Sequence, residues 1–444
     1  MVMSSIAVGV IALALISGFV STIRYALYTS IVREQGHVQI MAKDYLDLGS
    51  SNPGDFYVED WQKVAQKLRD DPELGPRIRV VAPLLQVGGV ASYAQSGASL
   101  GFRGAGYMPE LYNEMQQWDG FNLNLDPVFL TLDPADKNVV LVGAGLAQQL
   151  QICDFVTVES CQDFARGAEP EGPIDENIAD LSDLVSDEVD PGAEVHTGMA
   201  SIDLMVASAD GAPNARSVWV QDAVTQARRQ QDNSFIAMHL QTAQNLLYED
   251  QTHVSQIMVQ FHDSNYATAG LDRIKAVLAN EARPMDVFSV EEFNDTFTRV
   301  VSMFSVVQIF VGLVVSLIIM FMVANTMAII VMERVNEIGT LRALGQFRSG
   351  IRNMFLMEGL LLGAVSATVG VVTATGVVYL INYAGLEWTT PTSTEPILIR
   401  ILFLETPTVV FGIWLLISLV ATVSSVFPAI RAARYSITDA LRYV

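Results

Sequence analysis

The sequence predicts an α-helical membrane protein with four transmembrane helices and a large, water-facing α+β domain inserted between the first and second helices. The 444-residue chain has a mean hydropathy of +0.34, which is high for a water-soluble protein, and yet its net charge is −22. The position of the charges resolves this conflict, because residues 24–299 hold 41 Asp and Glu against 18 Lys and Arg, a net charge of −23. An acidic domain therefore lies between nearly uncharged apolar segments.

Four apolar segments are long enough to cross a bilayer, which takes about 20 residues. The predicted transmembrane helices cover residues 1–23, 300–332, 354–384 and 406–430, and Glu358 is the one charged residue within them. These spans divide the rest of the chain into a domain, a loop, a second short loop and a tail: 24–299, 333–353, 385–405 and 431–444.

The first apolar segment also has the length of a secretory signal peptide. Two features argue against that interpretation, since no basic residue precedes the apolar run and no small-x-small cleavage site ends it. The pattern instead continues into Arg24-Tyr25-Ala26-Leu27-Tyr28. We therefore expect a retained span, and because the chain starts almost inside it, we also expect a short basic leader before Met1.

The orientation of the spans follows from the arginines of the short segments, because cytoplasmic loops carry an excess of Lys and Arg. The loop 333–353 and the tail 431–444 hold the following: Arg334, Arg342, Arg348, Arg352, Arg431, Arg434 and Arg442. Both segments are predicted to be cytoplasmic, which places 24–299 and 385–405 on the opposite side. The acidity of the large domain is no obstacle, since long domains translocate largely regardless of their charge.

The large domain shows a mixture of strand and helix patterns. Residues 36–40 alternate like a strand, and residues 78–90 predict strands broken by Pro83. The apolar run 139–142 predicts a short strand, and the glycines at 143 and 145 that follow it lack the third glycine of a dinucleotide fingerprint.

Helical spacing continues past the spans that flank this domain. Ile23, Leu27 and Ile31 extend the first span, and Val290, Phe293, Phe297 and Val300 lead into the second. We expect the two flanks to form helical stalks, with a simple helix overhang as the alternative.

Residues 159–194 differ in composition from their surroundings. They contain 12 acids and one base, Arg166, and they predict an acidic, flexible insertion. A calcium site is the less favoured interpretation, since no D-x-[DN]-x-[DN]-G loop is present. Just before and within it, Cys153 and Cys161 have a spacing that suits a short hairpin, and both a disulfide and two free thiols are open.

Motifs for chemistry within this chain are absent from the sequence. There is no G-x-x-x-x-G-K phosphate loop, no H-E-x-x-H, no Cys/His zinc spacing and no G-x-S-x-G elbow. We therefore expect neither an enzyme nor a bound metal or cofactor. The acidic balance also argues against nucleic-acid binding, which requires Lys and Arg to replace counterions.

The third span carries two small-xxx-small patterns that predict close helix packing. They are Gly359-x-x-x-Gly363 and Ser366-x-x-x-Gly370, and each places small residues on one helix face. The adjacent Glu358 lies near the cytoplasmic end of the span, where we expect it to reach the membrane interface or Arg352.

The cytoplasmic loop and tail carry a family resemblance. The loop sequence Glu333-Arg334-Val335-Asn336-Glu337-Ile338-Gly339-Thr340-Leu341-Arg342-Ala343-Leu344-Gly345 resembles the E-R-x-x-E-I-G-x-L-R-A-x-G signature of the MacB/LolC/LolE/FtsX-type ABC transporter permease family. The tail Phe427-Pro428-Ala429-Ile430-Arg431-Ala432-Ala433-Arg434, with Asp439-Ala440-Leu441-Arg442, resembles the end of the same family. The order of one span, a large domain and three further spans also matches.

The resemblance implies that the loop is a coupling helix for a separate ATPase. Its candidate coupling residues are Glu333, Arg334, Glu337, Ile338, Gly339, Leu341, Arg342, Leu344 and Gly345. We expect Ile338, Leu341 and Leu344 to be presented to a groove of the partner, with charge pairing by Glu337 and Arg342 fixing the register. A plain connecting loop is the alternative.

The resemblance also implies the assembly and its location. It predicts two copies of a cytoplasmic ABC ATPase that bind ATP and Mg, a second permease chain that is identical or homologous, and a periplasmic or lipoprotein partner. The membrane would be the bacterial inner membrane, with the large domain in the periplasm.

Residues 36–40 resemble the strand that opens the corresponding domain in the lipoprotein-releasing branch, so lipoprotein release is the first expectation for function. Efflux of peptides or small toxic molecules, as in the MacB branch, is the second. A signalling permease that controls a cell-wall hydrolase usually has a much smaller outer domain, and a stand-alone receptor or enzyme is the remaining alternative. Residues 150–154 depart from the usual glycine-rich sequence, which weakens any transfer of substrate identity.

Overall fold

The computed structural model describes residues 2–49, 56–158, 198–226, 229–248, 252–281, 283–388, 397–398, 400–403 and 406–435. These residues divide into two compact units. The helical unit comprises the described residues of Met1–Tyr28, Asp295–Trp388 and Ile397–Val444, and the sheet unit comprises those of Thr29–Asn294.

The α-helices of the described residues are α1 (Val2–Gln35), α2 (Trp61–Asp70), α3 (Pro109–Gln116), α4 (Ala144–Leu150), α5 (Arg229–Asp232), α6 (Leu240–Leu247), α7 (Ala267–Leu278), α8 (Val290–Phe293), α9 (Asp295–Glu333), α10 (Val335–Ala343), α11 (Arg348–Ala384) and α12 (Pro407–Arg434). The strands are β1 (Val38–Ala42), β2 (Ile78–Tyr93), β3 (Ala98–Tyr107), β4 (Val139–Gly143), β5 (Ala200–Ala207), β6 (Pro213–Val224), β7 (Phe235–His239), β8 (Gln256–Phe261), β9 (Met285–Ser289), β10 (Glu387–Trp388) and β11 (Ile397–Leu398).

Four helices of the described residues are long and apolar enough to cross a membrane, namely α1, α9, α11 and α12. They contain the four apolar segments of the sequence. Their side chains enclose an apolar core, and one of the polar contacts between these helices runs from Gln308 Nε2 to Ser17 Oγ at 2.9 Å. Such a bond joins α9 to α1 without exposing unsatisfied polar atoms to hydrocarbon.

The two flanks of the sheet unit differ in continuity. Helix α1 runs unbroken to Gln35, as the spacing of its apolar residues predicts. The other flank is also helical, but in two pieces, because α8 ends at Phe293 and Asn294 adopts φ −106° and ψ 79° before α9 begins. A capping box at Ser289 and Glu292 starts α8 as a separate short helix.

The first half of the sheet unit is an antiparallel sheet of order β2-β8-β1-β9. The prediction of strands broken by Pro83 is wrong, since β2 is one strand that pairs Pro83 with Ile257. Among the described strands, only β8 pairs with β2 at Pro83, because β3 pairs with β2 only from Leu85 onward. A strand tolerates proline at such an edge position.

The second half of the sheet unit is a closed ring of strands. Strand β2 pairs with β3 on one side and with β5 on the other, and β7, β4 and β6 complete the order β3-β7-β4-β6-β5-β2. Side chains of β2 alternate across the ring wall, so that Leu85, Val87, Ala91 and Tyr93 are buried. Alternation with period 2 is what a strand requires to fill a small barrel.

The glycines at 143 and 145 belong to an internal contact of this ring. Asp232 is buried, and its carboxylate accepts hydrogen bonds from the backbone N–H groups of Ala144 (3.1 Å) and Gly145 (2.7 Å) at the start of α4. A Cβ at Gly143 would collide with the backbone oxygen of Asp232. The two glycines therefore allow the backbone of Asp232 and the side chains of Asp232 and Asn233 to approach the start of α4 closely.

Candidate coupling site

Helix α10 carries the loop signature between α9 and α11. The helix ends at Ala343, and Gly345, two residues later, has a φ of +94°, which lies in the left-handed region that glycine adopts without strain. The N–H of Gly345 donates to the carbonyl of Arg342 at 3.1 Å, and that of Gln346 donates to the carbonyl of Leu341 at 3.1 Å. The chain is thereby turned directly into α11.

An apolar cluster fixes α10 to the ends of α11 and α12. We call it the anchor cluster, and its buried members are Val331, Ile338, Ile351, Phe355, Ala429, Ala432 and Ala433. The expectation that Ile338 faces a partner groove is wrong, because its side chain is only 1% exposed. Leu341 is partly buried against the same cluster. Both residues therefore hold the helix in place, and Gly339 is buried beside them.

Two arginines of the signature bind within the helical unit. Arg342 Nη1 donates to the carbonyl oxygen of Ala433 at 3.3 Å, and Arg334 Nη1 lies 3.6 Å from Glu358 Oε1. The predicted reach of Glu358 to Arg352 is therefore replaced by a pair with Arg334. Both contacts tie α10 and its N-terminal flank to α12 and α11.

The outer surface of this site presents two large apolar side chains. Leu344 and Phe347 are each 81% exposed, while Glu333 and Glu337 are exposed beside them. Phe347 lies outside the family signature, and the sequence analysis missed it. The sequence feature that could have indicated it is the presence of an aromatic residue in a short arginine-rich loop.

The small residues of the third span lie where helices approach closely. A Cβ at Gly359 would collide with Ser425 of α12, and one at Gly363 would lie 2.6 Å from the Cβ of Ala421. Ser366 is fully buried, and its hydroxyl has no hydrogen-bond partner among the described residues.

Gly370 makes the equivalent approach to α1. A Cβ there would lie 2.6 Å from the Cβ of Val10 and 3.1 Å from the carbonyl oxygen of Ala7. We expect Gly370→Leu to force α1 away from α11 and to destabilise the helical unit by about 2 kcal/mol or more, because a close-packed interface cannot absorb a new side chain. The thermal midpoint of the detergent-solubilised chain measures this loss.

Gly376 provides the matched control on the same helix. No atom lies within 4 Å of a Cβ placed there, so Gly376→Leu should leave the midpoint nearly unchanged. Equal losses in the two variants would contradict a specific contact between Gly370 and α1.

The end of α1 is held in the sheet unit by one buried arginine. Arg33 is 6% exposed, and its guanidinium donates to the carbonyl oxygens of Trp118 (2.7 Å), Leu125 (3.0 Å) and Asp126 (3.5 Å). Its own carbonyl accepts from Gln116 Nε2 at 3.3 Å. These contacts fix the last turn of α1 to the segment around Trp118 and Asp126 of the sheet unit. The sequence analysis did not single out Arg33, since an arginine near a span end is typical of a membrane flank.

His37, four residues after Arg33 in the sequence, is also buried. His37 Nδ1 accepts the N–H of Phe261 at 3.1 Å, and its ring lies edge-on to Trp118 at 4.9 Å. Burial lowers the pKa of His37 to about 3, against a smaller raising effect of Asp263. The imidazole is therefore neutral in the folded chain at neutral pH.

Two sequence predictions lie wholly or partly outside the described residues. Cys153 is in a short 3-10 helix, whereas Cys161 and the acidic stretch 159–194 are not described. The disulfide and the acidic insertion therefore stay predictions. In the described part of the chain, no group of three or more His, Cys, Asp or Glu side chains is placed to hold a metal ion.

Two family models match separate segments of the chain. The FtsX-like permease C-terminal family model matches residues 309–437, which include α10 and the anchor cluster. The MacB-like periplasmic core domain family model matches residues 1–161.

Curated relatives agree with these matches over shorter segments. The ABC transporter permease YtrF of Bacillus subtilis (strain 168) is 41% identical over 81 residues, covering 18% of this chain and 19% of YtrF. The macrolide export ATP-binding/permease protein MacB of Acinetobacter baylyi is 26% identical over 181 residues, covering 39% of this chain and 26% of that protein. The lipoprotein-releasing system transmembrane protein LolC of Haemophilus influenzae is 31% identical over 142 residues, covering 30% and 33%.

The matched segments span at most a third of the length of these three relatives. The two family models nevertheless match different parts of the chain, and four long apolar helices accompany them. A multi-pass membrane protein with both features has the organisation that the loop signature implied. Residues 309–437 match the FtsX-like permease C-terminal family and residues 1–161 match the MacB-like periplasmic core domain, and together these matches support the MacB/LolC/FtsX-type family of ABC transporter permeases.

Proposed function

We propose that this chain is the permease subunit of an ABC transporter and transmits ATP-driven motion from a separate ATPase to a periplasmic domain. The observation that carries the proposal is the arrangement of α10. Its inner face is fixed to α11 and α12 through Ile338 and Arg342, while Leu344 and Phe347 remain 81% exposed. A partner protein can bind the exposed apolar side chains that follow this helix. Because the inner face of the helix is packed against α11 and α12, a force applied by the partner moves those helices with it.

The path of motion runs through the transmembrane helices. A push on α10 is carried by the anchor cluster to α11, where Gly370 lies against α1. Helix α1 is continuous to Gln35 and ends at the Arg33 contacts in the sheet unit. Each step joins packed or hydrogen-bonded groups, and chains of such contacts can carry coupling between distant sites.

The proposal includes the location and the partners. The sheet unit is the α+β domain inserted between the first two spans and lies in the periplasm of a bacterial inner membrane, together with 385–405. Two copies of a cytoplasmic ATPase bind ATP and Mg, and a second permease chain, identical or homologous, completes the assembly. The arginines of the loop and tail support this orientation.

We propose two alternative transport functions. Release of lipoproteins from the outer leaflet is favoured by the similarity to LolC, at 31% identity. Export of small molecules or peptides is the alternative, favoured by the MacB-like core match over residues 1–161. A neighbouring gene for a lipoprotein carrier or for a periplasmic adaptor would separate them.

The coupling role is tested at the two exposed side chains. We expect Leu344→Asp or Phe347→Asp to reduce co-purification of the ATPase by roughly thirtyfold, as expected when a central apolar contact of about 2 kcal/mol is lost. Because both side chains are exposed, the amount of the variant chain in the membrane should stay at the wild-type level.

Gln346→Asp is the matched control, since Gln346 is exposed and lies between Leu344 and Phe347 in the sequence. The substitution introduces the same negative charge without removing an apolar side chain. It should retain the ATPase almost fully. Recovery of the ATPase at wild-type yield with both Leu344→Asp and Phe347→Asp would rule out this surface as the coupling site.

A further inference from the structure

A groove of about 280 Å³ lies on the surface of the helical unit between α9 and α12. Its lining includes the small residues Ala324 and Ala328, the buried Pro428, and the two phenylalanines Phe321 and Phe427. These phenylalanines are 65% and 74% exposed. The groove therefore opens to the surroundings of two transmembrane helices, where lipid is the solvent.

One end of the groove is polar. Arg431 lies in the last turn of α12 and lines the groove together with Tyr435. Arg431 is exposed and has no acidic partner among the described residues. An arginine at the end of a span reaches the headgroup region of a bilayer, where it attracts phosphate.

A second polar group lies within the apolar part. Asn325 lines the groove eight positions before Glu333, the last residue of α9, and is thus about 12 Å deeper at a rise of 1.5 Å per residue. Its side-chain amide has no hydrogen-bond partner in the part of the chain that the structure describes. An amide facing hydrocarbon without a partner is unfavourable, so an occupant with an acceptor at this depth would be stabilised.

We propose that this groove binds one anionic phospholipid. Its phosphate lies at Arg431 and Tyr435, and an acyl chain lies along Ala328 and Ala324. Phosphate and guanidinium are complementary in charge, and a cation at one end of an apolar channel matches the headgroup and acyl chain of a phospholipid.

The groups that line the groove favour a lipid over a free phosphate ion. A free phosphate ion would engage the Arg431 end alone and would leave the apolar channel and Asn325 without contacts. An acyl chain fills that channel.

The experiment is lipid retention by the purified full-length chain in detergent. The chain is incubated with equal amounts of phosphatidylglycerol and phosphatidylcholine, and bound lipid is counted by native mass spectrometry. We expect the wild-type chain to retain one phosphatidylglycerol in preference to phosphatidylcholine. Arg431→Gln should reduce that preference by about fivefold, which is the contribution expected of one cation near a membrane surface.

Arg348→Gln is the matched control, because Arg348 is also exposed and lies outside the groove. It should keep the preference. A second variant, Ala328→Phe, fills the channel and should remove retention of both lipids while the thermal midpoint stays close to the wild-type value.

Several outcomes would overturn the proposal. Equal losses in Arg431→Gln and Arg348→Gln would indicate a diffuse surface charge, and equal wild-type retention of both lipids would remove headgroup selection. Displacement of phosphatidylglycerol by inorganic phosphate would indicate a site for the free ion. A disulfide between two chains carrying Ala328→Cys would indicate a second copy at the groove. The ATPase takes no part in these measurements, so their failure leaves the coupling proposal untouched.

Discussion

Replacement of Arg33 by methionine is expected to lower the free energy of unfolding of the sheet unit by about 3 kcal/mol, since breaking a buried charged hydrogen-bond set leaves its other members unsatisfied. The carbonyl oxygens of Trp118, Leu125 and Asp126 all lose their donor at once. Methionine retains the length and apolar stem of the side chain, so the loss reports mainly on the guanidinium. The urea midpoint of the full-length chain in detergent, followed by tryptophan fluorescence, measures it.

Two further variants sharpen this experiment. Arg33→Lys keeps the charge but replaces a planar fork by a single ammonium, and it should recover only part of the loss. Arg103→Met removes an exposed arginine of the same unit and should shift the midpoint very little. If Arg33→Met and Arg103→Met behaved alike, Arg33 would not be the residue that fixes α1 in the sheet unit.

Acidification is expected to destabilise the sheet unit through His37. The folded-state pKa of His37 is lowered to about 3 by burial, whereas an unfolded histidine titrates near 6.5. The unfolded chain therefore binds a proton that the folded chain rejects, and the stabilisation present above pH 6.5 is lost as the pH falls towards 3. Between pH 7 and pH 5 the loss attributable to this one group is about 2 kcal/mol.

His37→Asn isolates this contribution, because its side-chain oxygen can replace Nδ1 as the acceptor for the N–H of Phe261 and cannot titrate in this range. The difference between its urea midpoints at pH 7 and pH 5 should be smaller than that of the wild-type chain. His262→Asn, at an exposed position, should keep the wild-type pH dependence. An unchanged pH dependence in His37→Asn would show that the ring is not neutral and buried in solution.

The sequence predicted the helices that are determined by short stretches of chain. The four long helices were predictable because each carries its own apolar run, and the continuation of α1 followed from the spacing of Ile23, Leu27 and Ile31. The break at Asn294 was missed, since helical spacing persists on both sides of it and only a backbone angle at one residue interrupts the helix. Strand β2 was divided wrongly at Pro83 because the sequence does not show where its second neighbour begins.

The coupling site illustrates the same limit. The signature predicted a short helix in the loop, and the structure contains α10 there. Which side of that helix is covered depends on Ala429, Ala432 and Phe355, which lie in other helices. The sequence analysis therefore gave Ile338 an outward role that its burial excludes, and it omitted Phe347.

Hydropathy and the loop signature alone predicted a membrane protein with four spans and a resemblance to the ABC permease family that the family models support, because these properties are carried by short stretches of chain. The tertiary structure alone decided which signature residues face inward, that Arg33 fastens α1, and that β2 closes a ring of strands. Burial, hydrogen bonding and strand pairing each depend on groups brought together from distant parts of the chain, and no local pattern encodes their positions.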